Sequence, residues 1–224
     1  MNLTPEIREK LWSFASRTSF QSDYLIQVQE WGKKIDPKKY FPPHVTELWL
    51  ELGSGWGEVA IQLAEAFPNT GFLLMEKKID RIKATEKKRK ERGLENIRYM
   101  TLNFQWFFSE LMETEMFSTV LINFPDPWPK AKHWKHRLMQ EEFLTNLHAI
   151  IKPEGRLLFA TDYGPYARKT ISMFRRLNHL FKGSTEVAFE RPNFPVSFFE
   201  NEKREEGKRI YYLERTKVTP LGSY

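Results

Sequence analysis

Short apolar runs alternate with amphipathic stretches along most of the chain. Residues 48–52, L-W-L-E-L, form a run of strand length. Val59, Ala60, Leu63, Ala64 and Phe67 then recur at helical spacing, and Pro68 marks the stop. The same alternation predicts strands at 71–75, 96–102, 117–123, 156–161, 185–189 and 209–214. Helices are expected at 77–92, 104–112, 138–151 and 163–181, with a charged loop at 191–207. Two further helices, 4–16 and 23–34, precede a linker marked by Pro37, Pro42 and Pro43. This order predicts one α/β domain, a doubly wound and mostly parallel sheet over 47–224, behind a helical extension at 1–46.

Composition narrows the class. The 224 residues are enough for one such domain, and 41% hydrophobic content contains no run near the length of a membrane span. The N-terminus lacks the basic-then-apolar pattern of a signal peptide. Without cysteine there is no disulfide framework and no thiolate chemistry. Cytoplasmic residence is the default expectation. A net charge of +6 and a pI near 9.3 lean toward a polyanionic partner, provided the basic residues cluster.

The strand at 48–52 runs into Gly53, Gly55 and Gly57, and Glu58 opens the following helix. Glycines after a strand let backbone approach a ligand that a Cβ would push away. A dinucleotide turn spaces its glycines G-x-G-x-x-G and holds a pyrophosphate at the helix N-terminus. Here the third glycine comes one residue early, and Glu51 and Glu58 would repel a phosphate. The turn suits a cofactor with a cationic end; the plain alternative is a tight strand-to-helix turn without a ligand. Glu76 ends the next strand, placed to accept from ribose hydroxyls or to stand solvated at a helix start. Asn103 ends the third, where an amide offers an adenine both donor and acceptor.

The second informative stretch is 124–137, F-P-D-P-W-P-K-A-K-H-W-K-H-R. Pro125, Pro127 and Pro129 fix φ and remove three donors, which predicts a stiffened loop at the carboxyl end of a strand. Asp126 sits between two prolines. Lys130, Lys132, His133, Lys135, His136 and Arg137 surround Trp134 as a basic patch. Metal binding by the two histidines is opposed by their cationic neighbours, and no metal site is expected. The run Lys87, Lys88, Arg89 and Lys90 is either a solvated face or a phosphate-contacting one.

The turn E-L-G-S-G-W-G resembles motif I of S-adenosylmethionine-dependent methyltransferases. With N-F-P-D-P-W-P-K about seventy residues downstream, and S-F-F-E at 197–200 followed by Gly207, the chain resembles the bacterial tRNA (guanine-N7-)-methyltransferase family over most of its length. The resemblance implies the class I methyltransferase fold, seven strands with the last antiparallel. It implies methyl transfer from S-adenosylmethionine to nitrogen 7 of guanine in the variable loop of tRNA. It also implies that Glu51, Gly53, Gly55, Gly57, Glu76, Asn103 and Asp126 contact the cofactor. Lys130, Asp162, Ser197 and Glu200 would face the target nucleotide, and Asp126 carries the catalytic role. Asn103 stands where many members have aspartate, and Ser197 where most have threonine. TRNA is the expected partner of a monomer or homodimer, with no membrane, no metal and no obligate second subunit.

Nitrogen 7 of guanine carries no proton, so attack on a sulfonium methyl needs no general base, and no G-x-S-x-G serine elbow is present. Positioning alone can supply about 7–11 kcal/mol of such a barrier. Other readings are a small-molecule methyltransferase, a non-catalytic RNA-binding subunit and, against the glycine spacing, a nicotinamide dehydrogenase.

Overall fold

The structure is a computed structural model that describes residues 4–6, 9, 20–27, 33–101, 111–184 and 186–219. Most of the helices expected at 4–16 and 104–112, residues 28–32 of the one expected at 23–34, and Asn103 lie outside the described residues.

Seven strands form one sheet: β1 (Glu47–Leu52), β2 (Thr70–Met75), β3 (Ile97–Met100), β4 (Phe117–Asn123), β5 (Ile151–Thr161), β6 (Phe181–Lys182) and β7 (Tyr211–Lys217). Their spatial order is β3-β2-β1-β4-β5-β7-β6. The first five run parallel, and β7 lies antiparallel to both its neighbours. The central strands carry apolar runs such as 72–75 and 120–122 because helices cover both faces. On one face α1 (Glu58–Ala66) and α2 (Ile79–Glu91) supply Val59, Leu63 and Ile82 against Phe72, Leu74 and Leu121. On the other, α3 (Glu141–Ile150) and α4 (Gly164–Arg176) bring Leu144, Leu147, Tyr166 and Phe174 against Leu50, Leu73 and Ile122.

Four expectations change. Residues 24–26, read as helix, pair with the edge of the sheet: Leu25 bridges Tyr99, and the Ile26 amide donates to the Tyr99 carbonyl at 2.8 Å. Strand β5 starts five residues early, because the stretch around Pro153 and Gly155 is absorbed in a register shift between Phe117 and Thr119 rather than breaking the strand. The sixth strand is not 185–189 but Phe181–Lys182, leaving Ala188 with only an isolated bridge to Tyr212. Within the charged stretch 191–207 lies a helix, α5 (Phe198–Glu205), capped where the Ser197 Oγ accepts from the Glu200 amide at 3.1 Å.

Helix α2 has few apolar residues, and it packs through polar ones. Arg89 is buried, donates to Glu86 at 2.8 Å and lies over the Tyr24 ring at 3.5 Å. The run at 87–90 is therefore not one basic face: four consecutive helical residues point around the whole circumference, and Arg89 points inward.

Candidate functional site

The chain leaves β1 toward β2 and β3, then returns to place β4 on the other side of β1. This is the topological switch point, where the carboxyl ends of β1 and β4 diverge and open α/β sheets bind ligands. At the end of β1, Glu51 is 6% exposed and its Oε2 has no hydrogen-bond partner among the described residues. Burial pushes its pKa up to about 8; nearby Arg191 pulls it down and Glu76 pushes it further up.

The glycine turn follows with φ values of 77°, 57° and 70° at Gly53, Gly55 and Gly57. A Cβ at Gly53 or Gly55 would meet no atom of the described residues within 4 Å. Gly57 serves packing: a Cβ there would lie 2.2 Å from the Thr85 methyl on α2. Between the first two glycines, the buried Ser54 Oγ is also unpartnered. Glu76, at the end of β2, is buried and holds the turn. It accepts from the Gly55 amide at 3.1 Å and from the Lys78 amide at 2.9 Å. Arg81 approaches Glu76 at 3.5 Å.

The proline-rich loop leaves β4 with Phe124 at φ 49° and Trp128 at φ 41°. Asp126 is exposed on it, as are Lys130, Lys132 and Lys135. Residues Ala131–His136 form a 3-10 turn, so the second half of this segment is regular after all: the prolines stop before it begins. Arg137 is not part of the exposed patch. It is 3% exposed and donates to the carbonyls of Pro127 at 2.7 Å and Trp128 at 3.3 Å. Its guanidinium also lies near the rings of Trp134 and Tyr166. The residue ties down the loop that carries Asp126.

Because β7 runs antiparallel, its first residues reach the same edge as the ends of β4 and β5. Glu200, in the first turn of α5, is 1% exposed. Its Oε1 accepts from the Tyr212 hydroxyl, and from Arg204 at 3.0 Å. Burial, and then the bond to Glu200, push the Tyr212 pKa up to about 12. Asp162, just past β5, is half-buried and accepts from Lys208 at 3.4 Å. Ser197 is committed to its cap. Glu51, Glu76, Asp126, Asp162, Ser197 and Glu200 thus all stand along one edge of the sheet.

Arg191 is a site residue that sequence reasoning passed over. Its Nη2 donates to Asn123 Oδ1 at 3.4 Å, and its guanidinium stacks 3.8 Å from the Phe194 ring centroid. Its Nη1 is buried without a partner among the described residues. A lone arginine in a charged stretch gives no periodic signal; only the P-N-F-P that follows it sets it apart.

Solved structures share the fold. One, described as an antibiotic-related methyltransferase, aligns with a TM-score of 0.59 at 15% identity, covering 91% of this chain and 97% of its own. Another is a variant of the 16S rRNA (adenine(1408)-N(1))-methyltransferase from Catenulisporales acidiphilia, solved with cosubstrate SAM. It aligns with a TM-score of 0.57 at 16% identity, covering 86% of this chain and 96% of its own. The architecture is that of the class I methyltransferases.

Sequence comparison is more specific. A family model described as "Putative methyltransferase" matches residues 46–213. The tRNA (guanine-N(7)-)-methyltransferase of Leptospira interrogans serogroup Icterohaemorrhagiae serovar Lai is 46% identical over 96% of this chain and 99% of its own length. That of Chlamydia caviae is 32% identical over 75% of each. The chain belongs to the tRNA (guanine-N(7)-)-methyltransferase family.

Proposed function

We propose that this protein transfers a methyl group from S-adenosylmethionine to nitrogen 7 of a guanine in tRNA, in the variable loop. The observation that carries this reading is the grouping at one sheet edge: a buried Glu51 with one carboxyl oxygen unpartnered among the described residues, and an open glycine turn, beside the exposed Asp126 and a lysine-rich loop.

The residues present fit the cofactor. Glu51 has an unused oxygen for an ammonium group, and the space over Gly53 and Gly55 admits a ligand against backbone. A carboxylate has about four lone-pair sites. Glu76 uses some of them on the Gly55 and Lys78 amides and keeps capacity for ribose hydroxyls. Asn103 is assigned to the adenine. When bound, S-adenosylmethionine supplies an electrophilic methyl on a sulfonium.

Asp126 stabilises positive charge, which begins on the cofactor and ends on the methylated base. Its flanking prolines and Arg137 hold it in place, so little reorganisation accompanies the reaction. Glu200 places both its donors on Oε1, leaving Oε2 as the atom for the guanine N1–H and amino group. Ser197 holds Glu200 through the cap, and Asp162 lines the same side. Lys130 and its neighbours grip phosphates. Nitrogen 7 lies in the deep, narrow groove of A-form RNA, so the base is reached in a splayed loop or flipped out of its stack.

The test is incubation with unmodified tRNA transcript and methyl-labelled donor, followed by mapping of the label. Label on guanine nitrogen 7 in the variable loop is expected. No transfer, or transfer to another atom, overturns the reading.

A further inference from the structure

Among the described residues, two buried atoms of opposite character stand unpaired at the switch point. Glu51 Oε2 lacks a donor at the end of β1. Arg191 Nη1 lacks an acceptor, while its Nη2 is held by Asn123 at the end of the adjacent strand β4. Leaving a buried charged group short of a partner costs free energy, which a fold tolerates where a ligand restores the bond. The two orphans therefore call for one ligand that brings both a cation and an anion.

RNA meets that demand less well: a phosphate would pair with Arg191 but bring no cation to Glu51, and a guanine edge offers only neutral donors and acceptors. An α-amino acid group carries its ammonium and carboxylate on one carbon, matching a carboxyl and a guanidinium that sit on neighbouring strand ends. The guanidinium is also pre-set. Stacked at 3.8 Å from Phe194 and 5.0 Å from Tyr212, it loses little freedom when it binds an anion.

We infer that Arg191 clamps the carboxylate of the methyl donor's methionine end while Glu51 holds its ammonium, making 191–197 a strap that reads the donor as a zwitterion. This rests on the S-adenosylmethionine reading above and assigns a positioning residue to it. The strap continues into Ser197 and Glu200, so the segment that senses the donor also carries the glutamate assigned to the guanine.

Calorimetry on the full chain tests it, with S-adenosylmethionine and its decarboxylated analogue, each titrated into the wild-type protein and Arg191→Met. The wild-type protein should prefer the carboxylate-bearing ligand by roughly ten- to a hundredfold. Arg191→Met should bind the two nearly alike. A preference that survives in Arg191→Met overturns the assignment. So does a variant with unchanged donor preference and weakened tRNA binding, which would turn Arg191 toward RNA. If Arg191→Met does not fold, Arg191→Lys keeps the charge without the planar fork and should show a reduced preference; an undiminished one overturns the assignment. Wild-type protein that binds neither ligand refutes the methyl-donor reading itself, a result distinct from binding both equally.

Discussion

The backbone amide of Phe198 donates to the Glu58 carboxylate at 2.8 Å, joining residues 140 positions apart. The bond ties the start of α5 to the start of α1, immediately after the glycine turn. The glycine turn and the 197–200 segment, proposed above to serve the donor and the target base, are thereby held in register. Glu58, read from sequence only as a charge unfavourable to phosphate, is a crosslink.

Removing that crosslink separates the two duties. Glu58→Ala should lower single-turnover methylation of tRNA by about tenfold, the worth of one hydrogen bond to a charged acceptor. Affinity for the methyl donor should stay within about twofold, and Glu58→Gln, which keeps an acceptor, should lie between. Equal losses in donor binding and transfer would assign Glu58 to the donor instead.

Arg137 anchors the loop of Asp126 through two carbonyls. Arg137→Ala strands both carbonyls in a buried site and should destabilise the fold by about 2–4 kcal/mol in urea unfolding. Arg137→Lys offers a point charge without the fork and should recover only part of that. In both variants the maximal methylation rate should fall more than donor affinity, because Asp126 loses its support.

Glu51 makes the ligand-free protein pH-sensitive. Its folded pKa near 8 lies above the ordinary carboxyl value of 4.5, so between these limits the folded chain keeps a proton that the unfolded chain releases. Stability from this group is greatest below the lower value and is lost as pH rises through the higher one. Unfolding free energy should drop by about 2 kcal/mol more between pH 6 and pH 8 in the wild-type protein than in Glu51→Gln. An ammonium docking on Glu51 requires the ionised form. Donor binding at pH 7 should therefore release close to one proton, measurable by calorimetry in buffers of different ionisation enthalpy, and none in Glu51→Gln.

Lys130, Lys132 and Lys135 are exposed around the 3-10 turn beside the site. Each change to glutamine should lower the salt slope of tRNA binding by roughly one unit. Arg92→Gln serves as the comparison, since Arg92 is paired with Glu65 at 2.8 Å, and should alter the slope by less. Unchanged slopes in the lysine variants would move the RNA-binding surface elsewhere.

Much of this was legible before the structure. Strands β1, β2 and β4 each carry a short apolar run, at 48–50, 72–75 and 120–122, because they are covered on both faces, and such runs announce themselves. Helix α5 was hidden because it is charged almost throughout: only Glu200 is buried on it, so no apolar stripe forms. Its start was nonetheless written in the S-x-x-E spacing from Ser197 to Glu200, a known N-terminal signature. The two-residue strand β6 is too short to carry a period. The basic run on α2 misled because charge counts ignore direction, and Arg89 turns inward to meet Glu86 and Tyr24. Arg191 was invisible for a different reason. Its meaning comes from Asn123, 68 positions away, and only the fold brings them together.

The strand that fills the gap between β5 and β6 is the last one synthesised in the sheet, and it bears Tyr212, the hydroxyl partner of Glu200. A nascent chain still threaded through the ribosome has already made the glycine turn and the proline loop, yet lacks this keystone. Closure of the sheet at this edge, and the seating of Glu200 against Tyr212, therefore wait until β7 has been made.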